Sequence, residues 1–90
     1  MLALFYDLAE DYLERRGALR EEHLALARAA HERGELLLAG AFSEPYDRAL
    51  LVWATEDEAV VVQFVEADPY VRNGLVVGSE IRKWAVAIGG

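Results

Sequence analysis

At 90 residues the chain is the size of one domain, spanning 1–90, and domains this small bury a modest share of their surface. A net charge of −7 works against a nucleic-acid partner, whose phosphates need a basic footprint, and the absence of cysteine excludes disulfides, a thiol nucleophile and thiolate metal sites. The opening Met1-Leu2-Ala3-Leu4-Phe5-Tyr6-Asp7 lacks the basic region of a signal peptide, and no apolar run approaches the roughly 20 residues of a membrane span, so a cytoplasmic, membrane-free protein is expected.

In chain order, Leu2 to Leu8 is apolar at odd and even positions alike, interrupted by Asp7, which predicts a strand buried on both faces. A polar link from Glu10 to Gly17 follows. From Ala18 to Arg33 the pattern is helical, with Leu19, His23, Leu26 and Ala30 on one stripe and Gly34 placed to end it. Glu35 to Phe42 predicts a second strand, Ser43 to Asp47 a short turn, and Arg48 to Thr55 a third strand pairing back on the second. Thr55 is suited to cap a second helix whose inner stripe is Val60, Phe64 and Ala67. Asp68-Pro69 has the pattern of an N-cap followed by proline at the first helical position, giving a short turn of helix that stops at Gly74. Val76 to Ile88 alternates as a last strand, with Trp84, Val86 and Ile88 on one face.

The order βαββαβ predicts an α+β, ferredoxin-like fold: a four-stranded antiparallel sheet with both helices on one face. The uncovered face of such a sheet is expected to alternate to polar residues. Here Leu36-Leu37-Leu38 and Leu50-Leu51-Val52-Trp53 are apolar throughout, so a second sheet from an identical subunit, packed face to face, is the expected cover. Burying about 600 Å² of apolar area per subunit contributes on the order of 15 kcal/mol gross, reduced by the costs of association.

His23 is the first candidate for chemistry, because an imidazole titrates near neutral pH and serves as general acid or base where a pocket reaches it. The commoner use of a histidine on an apolar stripe is structural, bonded to a backbone carbonyl. Asp68 is the acidic candidate, although an Asp before Pro is also what an ordinary N-cap looks like. Arg16 and Arg20, just ahead of His23, are placed to hold a ligand carboxylate, unless they are solvated or paired with Glu14 and Glu22. His31 is not at the i, i+4 spacing of a helical metal pair with His23, and no metal site is expected.

Arg16, Arg20, His23-Leu24, the run His31-Glu32-Arg33-Gly34-Glu35-Leu36-Leu37 and Ala39-Gly40 resemble the first half of YciI-like proteins, the YCII-related domain. Ala67-Asp68-Pro69-Tyr70-Val71, Gly74-Leu75 and the closing strand resemble the second half. The resemblance implies a ferredoxin-like fold that dimerises into an α+β barrel, and an active site built on a His and an Asp that match His23 and Asp68. Lys83-Trp84 stands where the family more often has a Pro-aromatic pair, and the turn after Phe42 is short beside relatives with insertions there.

Two functions are expected from this reading. In the first, the protein is a cofactor-independent lyase- or isomerase-like enzyme. His23 moves a proton on a small aromatic or carboxylated molecule, Asp68 orients the imidazole, Arg16 or Arg20 holds the anionic group, and Tyr70 lines the pocket. In the second, it is a non-catalytic ligand-binding or accessory dimer in which His23 and Asp68 only pack and cap. The two helices, each returning from its strand, are expected to run parallel to one another. That would set His23 and Asp68 at opposite ends of the layer unless the chain doubles back or the pair forms across the dimer.

Overall fold

The computed structural model describes residues 1–89, so the last residue of the expected 1–90 domain lies outside it. Strand β1 (Leu2–Leu8) leads into a one-turn helix α1 (Tyr12–Arg15), a 3-10 turn (Arg16–Ala18) and the long helix α2 (Arg20–Glu32). Strands β2 (Leu36–Ala41) and β3 (Arg48–Trp53) form the hairpin, and α3 (Glu58–Ala67), α4 (Pro69–Arg72) and β4 (Val76–Lys83) complete the chain. Gly34 and Gly74, which follow α2 and α4, have φ of +80° and +75°, a left-handed conformation that a side chain disfavours and that ends a helix sharply.

The strands form one antiparallel sheet in the order β2-β3-β1-β4, as the βαββαβ pattern predicts. Leu2, Leu4 and Tyr6 of β1 stand opposite Trp53, Leu51 and Ala49 of β3. All six are buried, together with Leu36, Ala30, Val61, Phe64 and Leu75, and this is the core between sheet and helices. Trp53 and Phe64 meet edge to face with centroids 5.1 Å apart, an arrangement that adds to what burial alone contributes. The alternate residues Ala3, Phe5, Leu50, Val52 and Leu38 fall on the opposite face. Leu38 there is 71% exposed, while the Arg48 guanidinium lies 4.9 Å from the Phe5 ring and pairs with Asp7 at 3.1 Å.

Several local expectations are corrected. The stretch Glu10 to Gly17, read only as a polar link, holds α1 and most of the 3-10 turn, pinned by the buried Tyr12. Helix α3 is capped by Asp57, whose side chain accepts from the Ala59 N–H at 3.0 Å; Thr55 instead accepts from the Asp57 N–H. Its inner stripe is Val61 and Phe64, with Ala67 exposed. The last strand stops at Lys83 and does not run to Ile88, because its partner β1 begins at Leu2 and the final ladder bond is Trp84 N–H to the Met1 carbonyl at 2.9 Å.

The helix directions are also corrected. Strands β1 and β3 are antiparallel neighbours, so the helices that return from them point in opposite directions. The start of α2 and the end of α3 therefore share one end of the layer, and His23 and Asp68 meet there within a single chain.

Candidate functional site

Asp68 lies in the one-residue joint between α3 and α4, with extended backbone (φ −69°, ψ 118°) and no solvent exposure. Pro69 opens α4, where a missing N–H costs nothing. The Asp68 Oδ1 accepts from the Tyr70 N–H at 3.0 Å, which is the N-cap read from the sequence. The same oxygen lies 2.8 Å from His23 Nδ1, and Oδ2 accepts from the Tyr6 hydroxyl at 2.8 Å. Capping and pairing are thus both properties of one carboxylate. The Tyr6 O–H and the Tyr70 N–H both donate to this carboxylate, and an acceptor oxygen 2.8 Å from Nδ1 favours the neutral His23 tautomer that carries its proton there, with the lone pair on Nε2.

His23 sits one turn into α2 with its side chain 13% exposed. Its ring lies flat on that of Tyr70, centroids 3.9 Å apart and planes within 7°. Both line a pocket of about 290 Å³ on the helical side of the sheet, walled by Tyr6, Tyr12, Tyr46 and the small residues Ala39 to Ala41 of the edge strand β2. Arg16 and Arg20 also line it, and none of the residues around it is an Asp or Glu. In a chain with 16 acidic and 9 basic residues, that local balance is reversed.

Among the described residues Arg15 pairs with Asp11, Arg33 with Glu35 and Arg48 with Asp7, while Arg16 and Arg20, like the exposed Arg28, Arg72 and Arg82, form no ion pair; Arg16 and Arg20 are the two of these that line the pocket. Arg16 instead lies 5.4 Å from the centroids of both Tyr12 and Tyr46, a cation–π arrangement. A hydrogen bond with Tyr12 pushes the Arg16 guanidinium pKa up. Burial, joined by the charge of Asp68 and the bond to it, pushes the Tyr6 hydroxyl far above the ordinary tyrosine value, so it stays a donor. The Tyr70 hydroxyl is also raised, first by burial and then by Tyr12, against the opposing pull of Arg20 and Arg16. That hydroxyl is buried with no acceptor for its proton; its neighbour Arg20 is a donor only.

All five residues singled out in the sequence, Arg16, Arg20, His23, Asp68 and Tyr70, come together around this pocket or on its wall. Three tyrosines were not foreseen. Tyr6 reads as strand core, Tyr12 lies in the supposed link, and Tyr46 in the hairpin turn. A hydroxyl on the inward-facing row Leu2, Leu4, Tyr6 is a signal in principle, because a buried hydroxyl needs a partner. His31 has a structural role, its Nδ1 lying 2.7 Å from the Leu36 carbonyl, and no cluster of metal-ligating residues occurs among the described residues. No helix among them is long and apolar enough to cross a membrane.

The architecture is that of an α+β sandwich of ferredoxin-like topology with a His–Asp pair on the helical side of its sheet. A family model of the YCII-related domain matches residues 1–85, and the chain belongs to that family. Among solved structures it is similar to 5-chloro-2-hydroxyhydroquinone dehydrochlorinase (TftG) from Burkholderia phenoliruptrix AC1100, in complex with 2,5-dihydroxybenzoquinone. The TM-score is 0.75 at 22% identity over 94% of each chain, a likeness of fold. No curated protein matches the chain.

Proposed function

We propose that the protein is an acid–base enzyme of the lyase or isomerase type acting on a small aromatic or carboxylated anion. The reading rests on one observation above all: His23, on the wall of a pocket lined by Arg16 and Arg20 and by no acidic residue, is held from behind at 2.8 Å by the buried Asp68 carboxylate. In the proposed scheme the substrate's anionic group lies against the arginines, and His23 Nε2 takes a proton from the substrate. Asp68 then stabilises the imidazolium through Nδ1–H, and the proton returns to another atom of the same molecule or accompanies a leaving group. The scheme draws on side chains alone. The partly exposed His23 and its open pocket favour this reading over a purely packing role, in which the imidazole would be enclosed and bonded to a carbonyl.

We also propose that two copies pack sheet to sheet through the face carrying Phe5, Leu38 and Leu50, which leaves the pocket on the helical side free. The catalytic reading is tested with a panel of small aromatic acids together with 2,5-dihydroxybenzoquinone, the molecule bound by the similar TftG. Exchange of ligand C–H protons in D2O is followed by NMR for wild type and His23→Ala. Exchange that depends on His23, with ligand binding retained in the variant, is the expected result. Equal exchange rates in the two proteins, or none with any member of the panel, contradict a proton-transfer role.

A further inference from the structure

The hydroxyl of Tyr70 is an anomaly that the His–Asp pair does not explain. Tyr70 is 3% exposed, its backbone N–H is used in the cap, and its ring is fixed between His23, stacked at 3.9 Å, and Tyr12, edge-on at 5.8 Å. Yet no group on the protein accepts the proton of its hydroxyl, and the neighbouring Arg20 can only donate to it, a state that costs a buried donor free energy for as long as it persists. Around it stand Tyr12, Arg20 and Arg16, and all of these line the same pocket. Both arginines lack a carboxylate partner among the described residues, so two cations and an O–H without an acceptor line a pocket in which no carboxylate faces them.

We infer that Tyr70, Arg20 and Arg16 form an oxyanion subsite, with the Tyr70 hydroxyl donating to a phenolate- or enolate-type oxygen on a planar, single-ring ligand. The inference rests on the proposed acid–base reading for its chemical meaning and deepens it. Because the Tyr70 ring lies face to face with His23, the oxygen it serves is within one small ring of the carbon or oxygen from which His23 moves a proton. An oxyanion at that spacing is conjugated with the reacting atom. A carboxylate held only as a handle would instead be expected farther from the imidazole. Arg20 and His23 stand three residues apart on one face of α2, which gives the same short reach. A pocket of about 290 Å³ lies at the small end of ligand sites and suits one ring.

The probe is 4-nitrophenol, whose ionised form is coloured, with 4-nitroanisole as the neutral isostere. Wild type is expected to bind the phenolate at least tenfold more tightly than the anisole and to increase the ionised fraction of bound probe near neutral pH. Tyr70→Phe is expected to lose about ten- to a hundredfold in phenolate affinity with no change for the anisole. The same variant should melt at an unchanged or higher temperature, since the hydroxyl it removes has no acceptor in the free protein. Equal affinity for the two probes in wild type, or an unchanged phenolate affinity in Tyr70→Phe, overturns the subsite. His23→Gln separates the two ideas: it should still bind phenolate, so failure of the proton-transfer reading leaves this result standing, and failure of the subsite appears in Tyr70→Phe whatever His23 does.

Discussion

Replacing Asp68 by alanine removes an acceptor that three donors share, and the cost can be worked from those contacts. Loss of the cap to the Tyr70 N–H costs about 1 kcal/mol. The Tyr6 hydroxyl, in a residue 1% exposed, and the His23 Nδ1–H are left without partners, at about 1–3 kcal/mol each. The sum, about 3–7 kcal/mol, is a large part of the roughly 5–15 kcal/mol that holds a domain together. The sharper expectation is a reversal of sign. Tyr6→Phe in wild type loses a hydrogen bond to a charged acceptor and destabilises by about 1.5–3 kcal/mol. In an Asp68→Ala background the same change removes an orphaned donor and stabilises. Urea unfolding of the four proteins, read by far-UV circular dichroism with m held constant, gives the cycle; Asp68→Asn replaces Asp68→Ala if the latter does not fold. A Tyr6→Phe effect that is the same in both backgrounds to within about 0.5 kcal/mol refutes the claim that the two residues are coupled.

The raised pKa of Tyr6 has a pH consequence of definite sign. The folded state holds that proton more firmly than the unfolded chain, so its contribution is fully present below the ordinary tyrosine value of about 10 and is lost as pH rises above it. Denaturant midpoints measured from pH 8 to 11 should fall beyond about pH 10, and fall less steeply in Tyr6→Phe, with Tyr70 contributing the remaining slope in the same direction. Arg16→Gln and Arg20→Gln should each weaken binding of an anionic aromatic ligand by about tenfold and flatten its dependence on ionic strength, as read by calorimetric titration at several salt concentrations. Leu38→Asp, at a position 71% exposed in one chain, should leave the stability of the single chain within about 0.5 kcal/mol and convert a dimer to a monomer in sedimentation velocity. A wild-type protein that sediments as a monomer at micromolar concentration contradicts the sheet-to-sheet assembly.

The residues that carry the site were legible where local rules apply. His23 could be placed on the α2 stripe and Asp68 before Pro69 because helical periodicity and capping are short-range. Their meeting was implied by the family resemblance and not by these local rules, and the expectation of parallel helices set them at opposite ends unless the chain doubled back. The antiparallel pairing of β1 with β3, which the expected ferredoxin-like sheet already contains, reverses α3 relative to α2, and the expectation of parallel helices did not follow from that sheet. Tyr6 was hidden for its own reason: within an apolar strand a tyrosine looks like core, and its partner lies 62 residues away. Trp84, Val86 and Ile88 show the opposite failure. Their alternation is a true strand pattern, yet the ladder with β1 ends at Leu2 opposite Lys83 and at the Trp84 N–H to Met1 carbonyl bond. In α1 the four residues from Tyr12 to Arg15 are too few to show a period, and the turn is held by the packing of Tyr12 against Tyr46 and Tyr70.

The account turns on His23 presenting an unprotonated Nε2 to the pocket while Asp68 holds the proton on Nδ1. Nitrogen-15 NMR of labelled histidine tests this directly, because the two ring nitrogens and their tautomers give separate signals. The Nδ1–H tautomer is expected for His23 in the neutral ring, together with a shift of its Nε2 resonance when a small aromatic acid fills the pocket and loss of the tautomeric preference in Asp68→Asn. A neutral His23 that carries its proton on Nε2, or an Nε2 signal that no ligand moves, would contradict it.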